Sequence, residues 1–207
     1  MDPTPSNLKL KQRVERILSS TTNSFADKYS PVKRMVRRLS RTERSELLEL
    51  VSAMYQNDTL AALGFTYYGQ LSELAPKVTD TLHSANDSEA SLAIETVRKL
   101  KLSGAYEELA SQFAERRDTP LGRNLLIAMF KLRPDKNLDT FREYLAHAQE
   151  QDATLVCSNV LHDVLKSRSP SSLQRRVRGI VCQTPFGKTL YQTAYKRAKT
   201  LLDIDKS

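Results

Sequence analysis

An apolar stripe with helical spacing returns along this chain at a near-constant interval, and no other feature constrains its fold as much. Segments opening at Ser88, Thr119 and Asp152 lie 31 and 33 residues apart. Each holds one helix and then a second whose apolar side chains fall on one face. These second stripes are Tyr106, Leu109 and Phe113, then Phe141, Leu145 and Ala148, then Leu173, Val177 and Ile180. Spacing of i, i+3 or i+4, i+7 places such residues in a band that a lone helix cannot bury. Helical hairpins laid against one another bury it, each hairpin supplying the cover its neighbour needs.

Helix punctuation supports the same reading. Only 6 Gly occur in 207 residues, which disfavours the tight turns of a β-rich fold. A helix is expected over Leu8–Leu18. Ser30-Pro31 is expected to open a short helix reaching Arg41, with Ser as cap and Pro in the first turn. Ser40-Arg41-Thr42-Glu43 has the form of a capping box and begins another helix. Hairpins follow at 59–71 with 73–84, 88–101 with 103–115, 119–132 with 137–149, and 152–165 with 171–182, the last pair divided at Ser169-Pro170. Thr184-Pro185 then opens a terminal helix. Residues 1–7 are expected to be disordered and 8–207 to form a single helical domain. Its parts are basic N-terminal helices over 8–56, hairpin repeats over 57–182 and a basic C-terminal helix over 183–207.

Over residues 57–182 the hairpin period and apolar layout resemble the HEAT-like family of helical repeats. The resemblance implies an all-α, α-solenoid fold of stacked hairpins; an irregular helical bundle is the alternative. Solenoids of this kind act as scaffolds or adaptors for protein partners, and some are DNA-base glycosylases. Those enzymes use an acidic residue and aromatics, usually including Trp, at a cationic concave surface, and this chain contains no Trp.

Charge is sorted along the chain. Residues 9–44 carry 11 Lys and Arg against 3 Asp and Glu, residues 45–165 carry 11 against 18, and residues 166–207 carry 10 against 2. Two cationic ends flank an acidic middle, and such ends attract polyanions or acidic surfaces. The candidate binding residues are Lys33, Arg34, Arg37, Arg38 and Arg41 at one end. At the other they are Arg175, Arg176, Arg178, Lys188, Lys196 and Arg197. Guanidinium forks suit phosphate oxygens. Nearby aromatics are few (Phe25, Tyr29, Tyr191, Tyr195), so contacts to the nucleic-acid backbone are expected rather than sequence readout. The expected function is therefore a non-catalytic one, binding nucleic acid or an acidic protein surface, with a protein–protein adaptor as the alternative. Opposite charges on ends and middle also allow self-association. The terminal helix, with Leu190, Tyr191, Ala194, Tyr195, Ala198, Leu201 and Leu202 on one side, either caps the stack or meets a partner or an anionic membrane surface.

Catalytic and cofactor chemistry finds little support. Phe186-Gly187-Lys188-Thr189 has the end of a phosphate-loop pattern, but Cys182 stands where that pattern needs its first Gly. His83, His147 and His162 are isolated, and Cys157 and His162 are five apart, on different sides of a helix. No paired metal-ligand spacing occurs, and no cofactor is expected. Glu107-Glu108 diverge by about 100° on a helix, and Tyr67-Tyr68 are expected to be partly buried. With two cysteines and no secretory leader or apolar run of spanning length, a cytoplasmic or nuclear location is expected.

Overall fold

The computed structural model describes residues 5–22, 24–166 and 171–204, with side chains described for 9–22, 24–165 and 171–198. Among the described residues there are twelve α-helices, three short 3-10 turns and no strand. The helices are α1 (Pro5–Leu18), α2 (Phe25–Val36), α3 (Arg41–Met54), α4 (Thr59–Gly69), α5 (Ala75–Thr81), α6 (Asp87–Leu100), α7 (Tyr106–Arg116), α8 (Pro120–Leu132), α9 (Leu138–His147), α10 (Glu150–Lys166), α11 (Ser171–Val181) and α12 (Gly187–Ile204). The all-α expectation holds, and the hairpin helices fall within a few residues of their expected ends. Of the expected disordered segment, residues 1–4 lie outside the described residues, while α1 already begins at Pro5. The break at Ser169-Pro170 and the side chains of Leu201 and Leu202 also lie outside them.

Two compact units divide the chain, Met1–Glu108 and Leu109–Ser207. In the first, α2 packs on α4 and α4 on α6, so the leading helices of consecutive hairpins lie side by side. α1 rests on α2 and α3, and α5 returns against α6. Leu10, Val14, Val32, Leu47, Val51, Phe65 and Leu71 meet in one core. α4 is apolar almost all round (Leu60-Ala-Ala-Leu-Gly-Phe65). Helices of that composition belong in the interior, and residues 61–66 are all buried. In the second unit α8 packs on α10 and α10 on α12, with α11 touching α9, α10 and α12. These contacts join α2, α4 and α6 in one unit and α8, α10 and α12 in the other.

Several ends are fixed by named groups. Ser24 accepts from the Asp27 N–H at 3.1 Å and caps α2. The Ser30 cap is therefore a correction: Pro31 lies inside the helix. Proline cannot donate to the carbonyl four residues back, and the Ser30 hydroxyl donates to that Asp27 carbonyl instead, at 3.2 Å. The capping box at Ser40 and Glu43 forms as expected, with bonds of 2.9 and 3.2 Å. α4 and α6 end on left-handed residues, Gln70 (φ 54°) and Lys101 (φ 53°). The next amides, Leu71 and Leu102, reach back to the Thr66 and Val97 carbonyls at 3.1 Å each. This is the cap geometry glycine normally serves. Here Gln70-Leu71-Ser72 and Lys101-Leu102-Ser103 repeat it one hairpin apart, each leading into a 3-10 turn.

Candidate nucleic-acid interface

In the second unit, α11 buries Leu173, Val177, Ile180 and Val181, leaving its arginines in water. Arg175 and Arg178 are three residues apart and share a side. Arg176 turns elsewhere and approaches Asp135 at 3.7 Å. The α11–α12 corner is tight. The Thr184 hydroxyl donates to the Val181 carbonyl at 2.8 Å, and the Gly187 N–H to the Thr184 carbonyl at 3.1 Å. Thr184 therefore closes α11 instead of capping a helix at Thr184-Pro185, and α12 starts at Gly187. A Cβ on residue 187 would overlap the Val181 carbonyl. Glycine is needed there for close helix approach, which gives the Phe186–Thr189 sequence a structural reason without a nucleotide.

That corner brings the first turns of α12 beside α11. An open depression of about 480 Å³ results, lined by Arg175, Arg178, Gly179, Cys182, Lys188, Tyr191 and Gln192, and by no Asp or Glu among the described residues. The Arg178 guanidinium stands 5.1 Å from the centre of the Tyr191 ring. Tyr191 in turn lies nearly parallel to Tyr195, with ring centres 6.1 Å apart and planes 21° apart. Three cations around one opening form a positive well that an anion relieves. Lys196 and Arg197 are exposed outside this depression. Arg197 lines a separate groove of about 300 Å³ between α10 and α12, with His162, Leu190, Ala194 and Ala198.

The first unit assembles its cations differently from expectation. The proposed basic helix over 31–41 does not exist as one element: α2 stops at Val36, Arg37 is its C-terminal cap, and Arg41 begins α3. The capping box at Ser40 is what interrupts it. Arg34, Arg37, Arg38 and Arg41 therefore do not share one helical face. Arg34 and Arg38 still meet, with Arg13 of α1, around an open depression of about 440 Å³ that also includes Glu43. The Ser40 backbone N–H and then its hydroxyl hold the Glu43 carboxyl below its ordinary range, and Arg13 adds to this. Lys33 lies toward α6, where the Lys99 ammonium sits 3.4 Å from the Tyr67 ring centre and 5.0 Å from that of Tyr68. Loss of water, and then repulsion by Lys33, draws Lys99 below the usual lysine range. Tyr67 and Tyr68 are half-buried, as expected.

Carboxylates of the acidic middle pair mostly with cations of the middle. Arg123 meets Asp152 at 2.6 Å, Lys131 meets Asp163 at 2.7 Å, and Arg117 meets Glu143 at 2.8 Å. Arg44 meets Glu73 at 2.8 Å. Among the described residues, no carboxylate lies within ion-pair distance of Arg34, Arg37, Arg38, Arg41, Arg175, Arg178, Lys188 or Arg197. Sequence reasoning did not single out Arg13 or Gln192, and it placed Tyr191 among the few aromatics near the basic ends. Arg13 belongs to the helix expected over Leu8–Leu18, and its convergence with Arg34 depends on α1 packing across α2.

Other chemistry is thin. Cys157 is fully buried, and burial pushes its thiol up to about 12, so at neutral pH it stays protonated. His162 is exposed and 3.6 Å from Asp163. Among the described residues, no group of three or more His, Cys, Asp or Glu could hold a metal ion, and no helix is long and apolar enough to cross a membrane. No family model, curated protein or solved structure matches this chain.

Proposed function

We propose that this chain is a non-catalytic binding protein that contacts nucleic-acid phosphates. The observation carrying this reading is the α11–α12 depression, where Arg175, Arg178 and Lys188 converge without a carboxylate among the described residues of its lining. The Arg13, Arg34 and Arg38 cluster supports it from the first unit. Phosphate contact by arginine and lysine is dominated by counterion release and is indifferent to base sequence. We also propose that the hairpins are a HEAT-like frame, supported by side-by-side leading helices within each unit. A second reading, a protein adaptor, draws on the apolar stretch of the α10–α12 groove formed by Leu190, Ala194 and Ala198.

Titration with random-sequence duplex DNA and RNA at low and moderate salt tests the first reading. Binding should weaken steeply with salt. It should fall in a variant carrying R175E, R178E and K188E, and also in one carrying R34E and R38E. No binding at low salt, or equal binding by both variants and the parent, refutes it. Capture of a defined helical peptide that competes at Ala194 then favours the adaptor.

A further inference from the structure

The α11–α12 depression continues into an aromatic step. Tyr195 is 52% exposed, one of few large apolar side chains so open among the described residues. It is nevertheless held in place, because its ring is stacked on Tyr191, which is itself half-buried and faced by the Arg178 guanidinium. An exposed ring fixed in this way loses little freedom when a flat partner settles on it. Tyr191 and Tyr195 are one helical turn apart, about 6 Å along α12. Neighbouring bases of a strand are separated by about 3.4 Å in a duplex. Lys188 and Tyr195 are seven residues apart on one side of α12, about 10 Å along its axis, so a phosphate held at Lys188, Arg175 and Arg178 lies about three such base steps from Tyr195.

We infer that this corner is a subsite for single-stranded nucleic acid, in which Arg175, Arg178 and Lys188 hold a backbone phosphate and Tyr195 stacks a nearby base of the same strand. The inference rests on the phosphate-binding reading and adds the strand state of the ligand. In a duplex, both faces of each base are already covered by neighbouring pairs, so Tyr195 has nothing to stack on. In a single strand an unpaired base supplies a π-face whatever its identity, which makes the contact tolerant of sequence. Gly179 lines the depression without a side chain, and the space where its Cβ would stand is open.

The test uses the full chain and a short labelled DNA strand, alone and annealed to its complement, followed by fluorescence anisotropy at one fixed salt concentration. Tyr195→Ala should weaken single-strand binding about tenfold and leave duplex binding unchanged, while Tyr195→Phe restores single-strand binding. Circular dichroism confirms that the exposed substitution leaves the helices intact. The triple variant R175Q, R178Q and K188Q should weaken both ligands. If Tyr195→Ala leaves single-strand binding intact, or weakens both ligands equally, the subsite is wrong even though loss of binding in the triple variant keeps the phosphate reading alive. If the triple variant binds as the parent does, this corner holds no phosphate and the subsite fails, while the phosphate reading then stands or falls with the R34E and R38E variant.

Discussion

Replacing Gln70 and Lys101 with glycine tests whether the ends of α4 and α6 are held in a conformation their own residues resist. Both have φ near 54°, where an L residue crowds its Cβ against the following carbonyl at a cost of about 1–2 kcal/mol. Glycine removes that crowding but gives up about 0.5–1 kcal/mol through the greater freedom of its unfolded chain. Both side chains are exposed, so little packing is lost. Between the middles of these ranges the balance favours glycine by about 0.75 kcal/mol at each site, or about 1.5 kcal/mol for the double variant. For a chain of this size that corresponds to a rise in melting temperature of about 3–6 °C. Scanning calorimetry and urea unfolding followed by circular dichroism read the change. Glu49→Gly, at an exposed position inside α3, is the control. There the backbone is ordinary helix, and glycine should cost about 1 kcal/mol. An unchanged or lowered melting point in the double variant, beside the expected loss at Glu49, refutes the strain argument.

Single hydrogen-bonded side chains govern two further outcomes. Asn137 is buried, and its side-chain amide donates to the Met129 and Arg133 carbonyls at 3.0 and 2.7 Å, closing the end of α8. Asn137→Ala should lower the urea midpoint by an amount equivalent to about 1–3 kcal/mol, and Asn137→Asp by no less, because a carboxylate cannot donate to either carbonyl. The Glu43 carboxyl is held below its ordinary range by Ser40, so its contribution is fully present above the unfolded pKa and is lost as pH falls through the lower, folded one. Stability of Glu43→Gln measured against pH should therefore lie below that of the parent at neutral pH and converge with it in acid; a gap independent of pH would contradict this.

The helix content, the hairpin rhythm and most helix ends were legible in the sequence because each rests on neighbours a few residues away. The Ser40–Glu43 box and Pro120 at the start of α8 are such local signals. Local rules also misled where two of them competed. Ser30-Pro31 has the form of a helix start, but Ser24 caps the helix earlier and the Ser30 hydroxyl takes the bond that Pro31 cannot make. Thr184-Pro185 has the same form, yet the Thr184 hydroxyl serves the helix behind it. Left-handed ends at Gln70 and Lys101 carried no glycine to announce them.

By itself, the sequence determined that the chain is helical, that its cations gather toward the two ends and that its acids lie between, since composition and periodicity are properties of the chain. Which cations stand together was decided by tertiary structure. Arg175 and Arg178 share a depression with Lys188 because Gly187 lets α12 close on the end of α11, while Arg176, adjacent in sequence, points toward Asp135. Arg13 joins Arg34 and Arg38 across α1 and α2. Convergence of side chains from different helices depends on crossing angles and corner geometry, which are set by packing between segments and are not written in the spacing of any one of them.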